Sequence, residues 1–324
     1  MGSTVVSISG FQPDDLGSSP SPRIYIKMTE QEKQKFNFGK FHDRYYKKLL
    51  LIPALLLLFC FIYMGIFYSV NHDFIHKDIS LTGGTSVTIF EKLDVNVLEN
   101  SLSDSLDELS TREIYDLVTR EQKAVIIETK SDGGVTKDVL ENYLGYDLDS
   151  ENSSFEFTGS GLSESFYKQL LIAILVAFIF MGIVVFIIFR TFVPSTAVIV
   201  SAVADIVMTL VCVNLLGIKM SSAGIVALLM LIGYSVDTDI LLTTRLLKRN
   251  NGDVNHRLFG AFKTGITMTL TSLLAVVIAL IVVSSFSIIL TQIFSILAIG
   301  LGFDILNTWI TNVSILKWYV ERKK

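Results

Sequence analysis

The chain has 324 residues, 51% of them hydrophobic and 18% charged, with a net charge of −4 and a mean hydropathy of +0.54. A single water-soluble core of this length does not carry so much apolar sequence, so the chain reads as a polytopic membrane protein. Charge is unevenly placed: residues 71–168 hold 20 acidic against 8 basic side chains, and the rest of the chain 11 against 19. The acidic block reads as a separate, solvated domain.

Both cysteines, Cys60 and Cys212, fall inside apolar runs, which argues against a disulfide framework or a thiolate metal site. The four histidines, His42, His72, His76 and His256, lie outside those runs without zinc-ligand spacing and read as surface residues. Neither a metal, a cofactor nor nucleic acid is expected as a partner, and no Ser-His-Asp order suggests an enzyme.

In chain order, residues 1 to about 22 are polar and expected to be disordered, and 28–48 read as a basic helix lying on a membrane surface. The first apolar run follows a long polar leader with eight bases, so it is expected to stay as an anchor rather than be cleaved. Six runs reach the roughly 20 residues a bilayer requires: 49–70, 170–189, 193–216, 222–242, 266–283 and 288–318. Basic residues gather on one set of flanks: Arg44, Lys47 and Lys48 before the first run, Arg190 after the second, Arg245 to Lys263 between the fourth and fifth, and Lys317 to Lys324 at the end. The positive-inside tendency then predicts both termini cytoplasmic and the acidic block outside.

Within that block, 85–93 alternates as a strand, 96–109 has helical periodicity, 111–118 and 123–130 read as strands, 136–146 as a helix and 154–159 as a strand. The order βαββαβ is that of a ferredoxin-like domain, one sheet with both helices on one face. The fold class expected is thus a polytopic α-helical membrane protein of six spans carrying a small α+β ferredoxin-like extracytoplasmic domain. The expected organisation is a leader 1–48, a first span 49–70, the domain 71–168, a five-span bundle 169–320 and a tail 321–324.

The residues that invite a function are acids inside apolar helices: Asp205 in the third run, Asp237 and Asp239 in the fourth, Asp304 in the sixth. Such groups are costly in a membrane and are usually retained for a partner, an ion or a proton. A carboxyl in a dry interhelical site can be neutral or charged according to local water and partners, which suits a proton or ion relay. The plainer alternative is that each merely hydrogen-bonds a neighbouring helix. Arg245, two turns beyond Asp237, is read as a relay partner or an interface anchor. On the sixth run Gly300, Asp304, Asn307 and Thr308 form a polar stripe.

Gly83 and Gly84, in DISLTGGTSV just past the first span, are candidates for a hinge or a tight junction. This stretch lacks the lysine and helix of a nucleotide loop. Gly300-Leu301-Gly302-Phe303-Asp304 is one residue longer than the GxGD of intramembrane aspartyl proteases, which turns the acid about 100° around the helix and argues against that chemistry. Asn152-Ser153-Ser154 is a glycosylation sequon.

Six spans, a domain after the first, TGGT at its start and GYSVDTDILLTTR in the fourth together resemble the SecD/SecF family of protein-export membrane proteins, in its SecF branch and most closely its archaeal members. The resemblance covers about residues 40–320. Two positions depart from it. Asp78 and Ser80 stand where the family pattern has Gly and an acid, leaving Leu81, Gly83 and Gly84 to carry over, and Asp237 aligns with the bacterial Asn, Thr238 with its Asp. The resemblance implies a resistance-nodulation-division (RND) superfamily half-transporter, half of an RND-type bundle, that pairs with SecD, associates with the SecY translocon (SecYE and its small subunit), and uses proton flow to promote translocation of unfolded preproteins in the cell membrane. The alternatives are a transporter of lipids or small molecules, or a passive scaffold for the translocase.

Overall fold

The computed structural model describes residues 48–116, 119–248, 254–284 and 287–323. The leader before residue 48, with its expected disordered stretch and surface helix, lies outside the described residues.

Six helices are long and apolar enough to cross a membrane. Helix α1, Leu51–Asn71, ends where His72 enters the left-handed region at φ 55° and its N–H returns to the Tyr68 carbonyl. The chain then builds a short helix α2, Ile79–Thr82, and the α/β domain: β1 Gly84–Ile89, α3 Val95–Leu102, β2 Ser110–Tyr115, β3 Gln122–Thr129, α4 Gly133–Leu144 and β4 Ser153–Thr158. Five further helices follow: α5 Ser160–Phe189, α6 Phe192–Leu215, α7 Ser222–Lys248, α8 Val254–Val283 and α9 Ile288–Leu306. The last continues through a π-helical turn, Asn307–Asn312, into α10, Val313–Lys323.

The sheet order is β2-β3-β1-β4 with every neighbour antiparallel, the ferredoxin-like arrangement expected. Alternation in β1 sends Val87 and Ile89 to one face, where they pack with Val125 and Ile127 of β3, Leu98 and Leu102 of α3 and Leu140 of α4. Asp94 and Asp132 start the two helices by accepting backbone N–H bonds from Asn96 and Gly134. Helix α3 stops at Leu102, short of the expected residue 109, because the chain turns at Ser103 while Leu106 still reaches the core.

In the bundle, α6 and α7 are central: 61% and 56% of their spanning windows are buried, against 17%, 6% and 11% for α1, α5 and α8. Pro194 sits in the first turn of α6, where its missing N–H costs no internal bond. Helix α8 begins at Val254, a dozen residues before the apolar run at 266, because Leu258 and Ala261 are buried on its inward side.

Domain and bundle are joined at α2. Asp78 caps it by accepting from Ile79 N–H at 2.5 Å, and the chain pairs with the loop before α7. There Asp78 N–H donates to the Met220 carbonyl at 3.0 Å, and Met220 N–H to that of His76 at 2.6 Å.

Candidate functional site

The centre of the bundle holds three fully buried carboxyls from three helices, Asp205 on α6, Asp239 on α7 and Asp304 on α9. Asp205 accepts from Ser235 Oγ of α7 at 2.5 Å and from Asn307 Nδ2 of the last span at 2.7 Å, so both of its oxygens are served. Asp239 Oδ1 accepts twice, from Asn312 Nδ2 at 2.7 Å and Thr308 Oγ1 at 2.8 Å. Thr308 Oγ1 also lies 3.1 Å from Asp304 Oδ1. The second oxygens, Asp239 Oδ2 and Asp304 Oδ2, make no hydrogen bond of standard geometry among the described residues, although the Ser201 hydroxyl stands beside Asp239 and the Ser235 hydroxyl beside Asp304.

That pattern separates the acids by chemistry. Asp205 is a fully bonded strut. Asp239 and Asp304 each keep one buried oxygen without a well-formed bond, and a buried polar atom left without a partner costs about 1–3 kcal/mol. A proton on that oxygen removes the charge and supplies a donor. Thr308 has one hydroxyl proton for two carboxylates: either it serves one and leaves the other, or a protonated Asp304 donates to it while it donates to Asp239. The second arrangement is a continuous hydrogen-bonded path between the two acids.

Local sequence explains the placement. Ser235 and Asp239 are one helical turn apart on the buried face of α7. Asp237, two residues away, falls on the opposite, exposed face beside Gly233 and Tyr234, outside the trio. Arg245 is partly buried further along α7 and donates to the Gly260 carbonyl of α8 at 2.6 Å. The structure thus brings together three of the five expected relay residues, Asp205, Asp239 and Asp304, and places Asp237 and Arg245 elsewhere. Among the donors, Asn307 and Thr308 are visible in sequence as a stripe beneath Asp304. Ser235 and Asn312 are not singled out by it; the signal for Ser235 is its one-turn spacing from Asp239. Asn312 has no such signal, because its inward direction depends on the π turn.

Close packing fixes the helices round the trio. A Cβ on Gly300 would stand 2.2 Å from Leu231 of α7, and one on Gly265 of α8 would stand 2.4 Å from the Trp309 ring.

Gly83 and Gly84 lie at the domain junction with φ of +83° and +136°. A Cβ on Gly83 would stand 2.3 Å from Ser160 Cα, and one on Gly84 2.3 Å from the Thr129 carbonyl oxygen. Beside them Glu128 of β3 is paired with Lys219 of the α6–α7 loop at 2.8 Å and with Arg112 of β2. Burial opposes the ionisation of Glu128, but the two cations outweigh it and hold its pKa below the usual value. Asp78 has the opposite balance: burial, then the charge of Glu128, push its pKa up to about 6. A cavity of about 580 Å³ opens here, lined by Asp78, Arg112, Lys123, Glu128, Glu156 and Ser287 among others. At the sequon, Asn152 Nδ2 donates to the Asp147 carbonyl at 2.9 Å, so the atom a glycan would take is already in use.

Six spanning helices with a ferredoxin-like domain inserted after the first, closed over interhelical carboxyls, define a multi-pass membrane protein. Residues 137–322 match the family model described as protein export membrane protein SecD/SecF, C-terminal. The chain belongs to the SecF family of protein-export membrane proteins. The protein-export membrane protein SecF of Methanocaldococcus jannaschii is 41% identical over 282 residues, covering 85% of this chain and 96% of that one. SecF of Methanothermobacter thermautotrophicus is 40% identical over 281 residues, covering 85% and 93%. The crystal structure of SecDF, a translocon-associated membrane protein from Thermus thermophilus, is similar with a TM-score of 0.69 at 20% identity, over 88% of this chain and 39% of that one. That likeness shows the fold.

Proposed function

We propose that the chain is an accessory subunit of the Sec translocase in the cell membrane, with both termini cytoplasmic. It pairs with SecD, works beside the SecY channel and uses proton flow to promote translocation of unfolded preproteins. The observation that carries the coupling is the pair of buried acids Asp239 and Asp304, joined through their Oδ1 atoms by the single hydroxyl of Thr308 while the Oδ2 atom of each lacks a well-formed hydrogen bond. A proton moving between water and this pair changes the charge at the centre of three helices. Moving one elementary charge across 100 mV releases about 2.3 kcal/mol, enough to bias a two-state arrangement of the bundle.

Pairing with SecD is supported by Asp237. A carboxylate on a lipid-facing helix surface costs several kcal/mol, so the exposed face carrying Gly233, Tyr234 and Asp237 suits another polar-lined membrane chain. Gly83 and Gly84 serve this reading as the rigid junction through which bundle and outer domain move together.

The test is export measured with Asp239→Asn, Asp304→Asn and Asp237→Asn, each in the assembled complex. Proton coupling predicts that the first two drop export to the level of cells lacking the protein while assembly survives. Full export in both would leave the scaffold reading. A small-molecule transporter would instead take its substrate in the junction cavity, and saturable binding of a small molecule there would favour that reading.

A further inference from the structure

The last span departs from α-helical spacing at Asn307–Asn312, where Val313 N–H is shared between the Ile310 carbonyl, three residues back, and the Thr308 carbonyl, five residues back. Residues five apart in an α-helix point about 140° apart round the axis. With π spacing they lie nearly one above the other, and that is what lets Asn307 reach Asp205 and Asn312 reach Asp239, both at 2.7 Å. A π turn holds one residue more than an α-helix needs, and such turns persist where tertiary contacts hold them. The contacts here are the two amide–carboxyl bonds, Thr308 between Asp239 and Asp304, and the Trp309 ring. The ring is seated against Gly265 and set edge-on to Phe262 at 5.1 Å.

Those contacts depend on the charge of Asp239. An amide N–H bonds a carboxylate about twice as strongly as a neutral acceptor, so a proton arriving on the second oxygen weakens the hold of Asn312. We propose that the π turn Asn307–Asn312 is the moving part of the bundle, with Asn312 and Thr308 as positioning residues: loading Asp239 releases Asn312, and the turn relaxes into α-helix. This rests on the proton-coupled reading above and deepens it. Taking the extra residue up into α spacing rotates α10 by about 100° and advances it by about 1.5 Å relative to α9. Lys317, buried beside Asn255 with Nζ 3.5 Å from its Oδ1, leaves that slot. The other acidic or basic groups on the packed elements are Asp205 on α6, Asp237, Arg245 and Lys248 on α7, His256, Arg257 and Lys263 on α8, Asp304 on α9 and Glu321, Arg322 and Lys323 on α10; of these Lys248, His256, Glu321 and Arg322 are exposed, and Arg257 donates to the Leu246 carbonyl at 2.8 Å. Asp237 and Lys263 are on exposed surfaces and Arg245 is held by Gly260, which leaves the buried acids as the groups whose charge reaches the turn.

The chain contains two tryptophans, Trp309 and Trp318. Trp318 is peripheral, stacked under Arg322 at 4.4 Å, so Trp318→Phe leaves Trp309 as the sole reporter. The full-length variant, reconstituted by itself in lipid vesicles, is titrated from alkaline to acidic buffer while Trp309 emission is followed. The expected result is a shift of emission with pH that disappears in Asp239→Asn. Deleting Ile310 in the same background restores α spacing with Asn307 and Asn312 on one face, so it should abolish both the shift and export. Emission unchanged with pH, in a protein whose export still requires Asp239, overturns the π-turn proposal and leaves the proton site standing. Full export in Asp239→Asn sinks the site itself, whatever Trp309 reports. Because the titration needs no deletion, a misfolded Ile310 variant does not shield the proposal.

Discussion

Lys219 and Glu128 form an ion pair at 2.8 Å that ties the loop entering α7 to the third strand of the outer domain. The carboxylate is 5% exposed and the lysine 31%, so the pair is closer to a buried contact than to a surface one. Removing one member of a buried pair strands the other's charge, although Arg112 still attends Glu128 and water screens Lys219. Lys219→Met is expected to cost about 1–2 kcal/mol. It should also accelerate amide exchange in β3 and in the loop at 217–222, measured by hydrogen exchange on the purified protein.

Asp78 gives the junction a pH dependence of definite sign. Its pKa in the folded protein is raised from 3.8 to about 6, so folding takes up a proton and stability falls as pH rises through that window. The penalty is complete above about pH 6 and absent below the ordinary value. Asp78→Asn keeps an acceptor for the Ile79 N–H and removes the charge. It should stabilise the protein near neutral pH by about 1–2 kcal/mol and flatten the melting temperature between about pH 4 and pH 6.

Gly83 and Gly145 share a positive φ, +83° and +79°, but differ in ψ, 157° against 14°, so only Gly145 is in the left-handed helical region and Gly83 holds a conformation essentially reserved for glycine. A Cβ on Gly145 meets nothing within 4 Å, whereas one on Gly83 meets Ser160 backbone at 2.3 Å. Gly145→Ala should cost about 1 kcal/mol, the conformational penalty alone. Gly83→Ala adds a backbone clash that no rotamer relieves, and should lower the melting temperature much further or prevent accumulation of the protein.

Gly300 and Gly302 make a similar pair inside the membrane. Gly300 receives Leu231, and Gly302 faces open space. Gly300→Ala should destabilise by about 1–3 kcal/mol through overpacking, and Leu231→Ala should recover part of it in a double-mutant cycle. Gly302→Ala is expected to be neutral or slightly stabilising, read by thermal unfolding in detergent.

The spans and the sheet are readable from periodicity because each element obeys one repeat along its length. Val87 and Ile89 alternate with Ser86 and Thr88, and the apolar runs reach bilayer length with hardly a break. Two other features follow from departures from a repeat. Asp237 and Asp239 are equivalent in composition, and only packing against α6 and the last span decides that Asp239 enters the core while Asp237 does not. Asn312 is inward only because Asn307–Asn312 is π-helical, and a 3.6-residue period sends it elsewhere. Helix α2 is short enough to read as part of a turn, and it is specified by one capping acid, Asp78, and one terminating glycine, Gly83.

The order in which the donors are synthesised sets a constraint on biogenesis. Asp205 and Asp239 enter the membrane with α6 and α7, yet Asn307, Thr308 and Asn312, which supply three of their four bonds, are made last. Until the final span arrives, Asp239 has neither of its donors and Asp205 has only Ser235. A nascent chain ending before Asn307 would hold two poorly partnered carboxyls among apolar helices, a state that favours retention beside water or an insertion machinery over release into lipid. The sixth span therefore acts as the closing piece of the bundle, and chains truncated ahead of it should be cleared rather than accumulate as a stable five-helix intermediate.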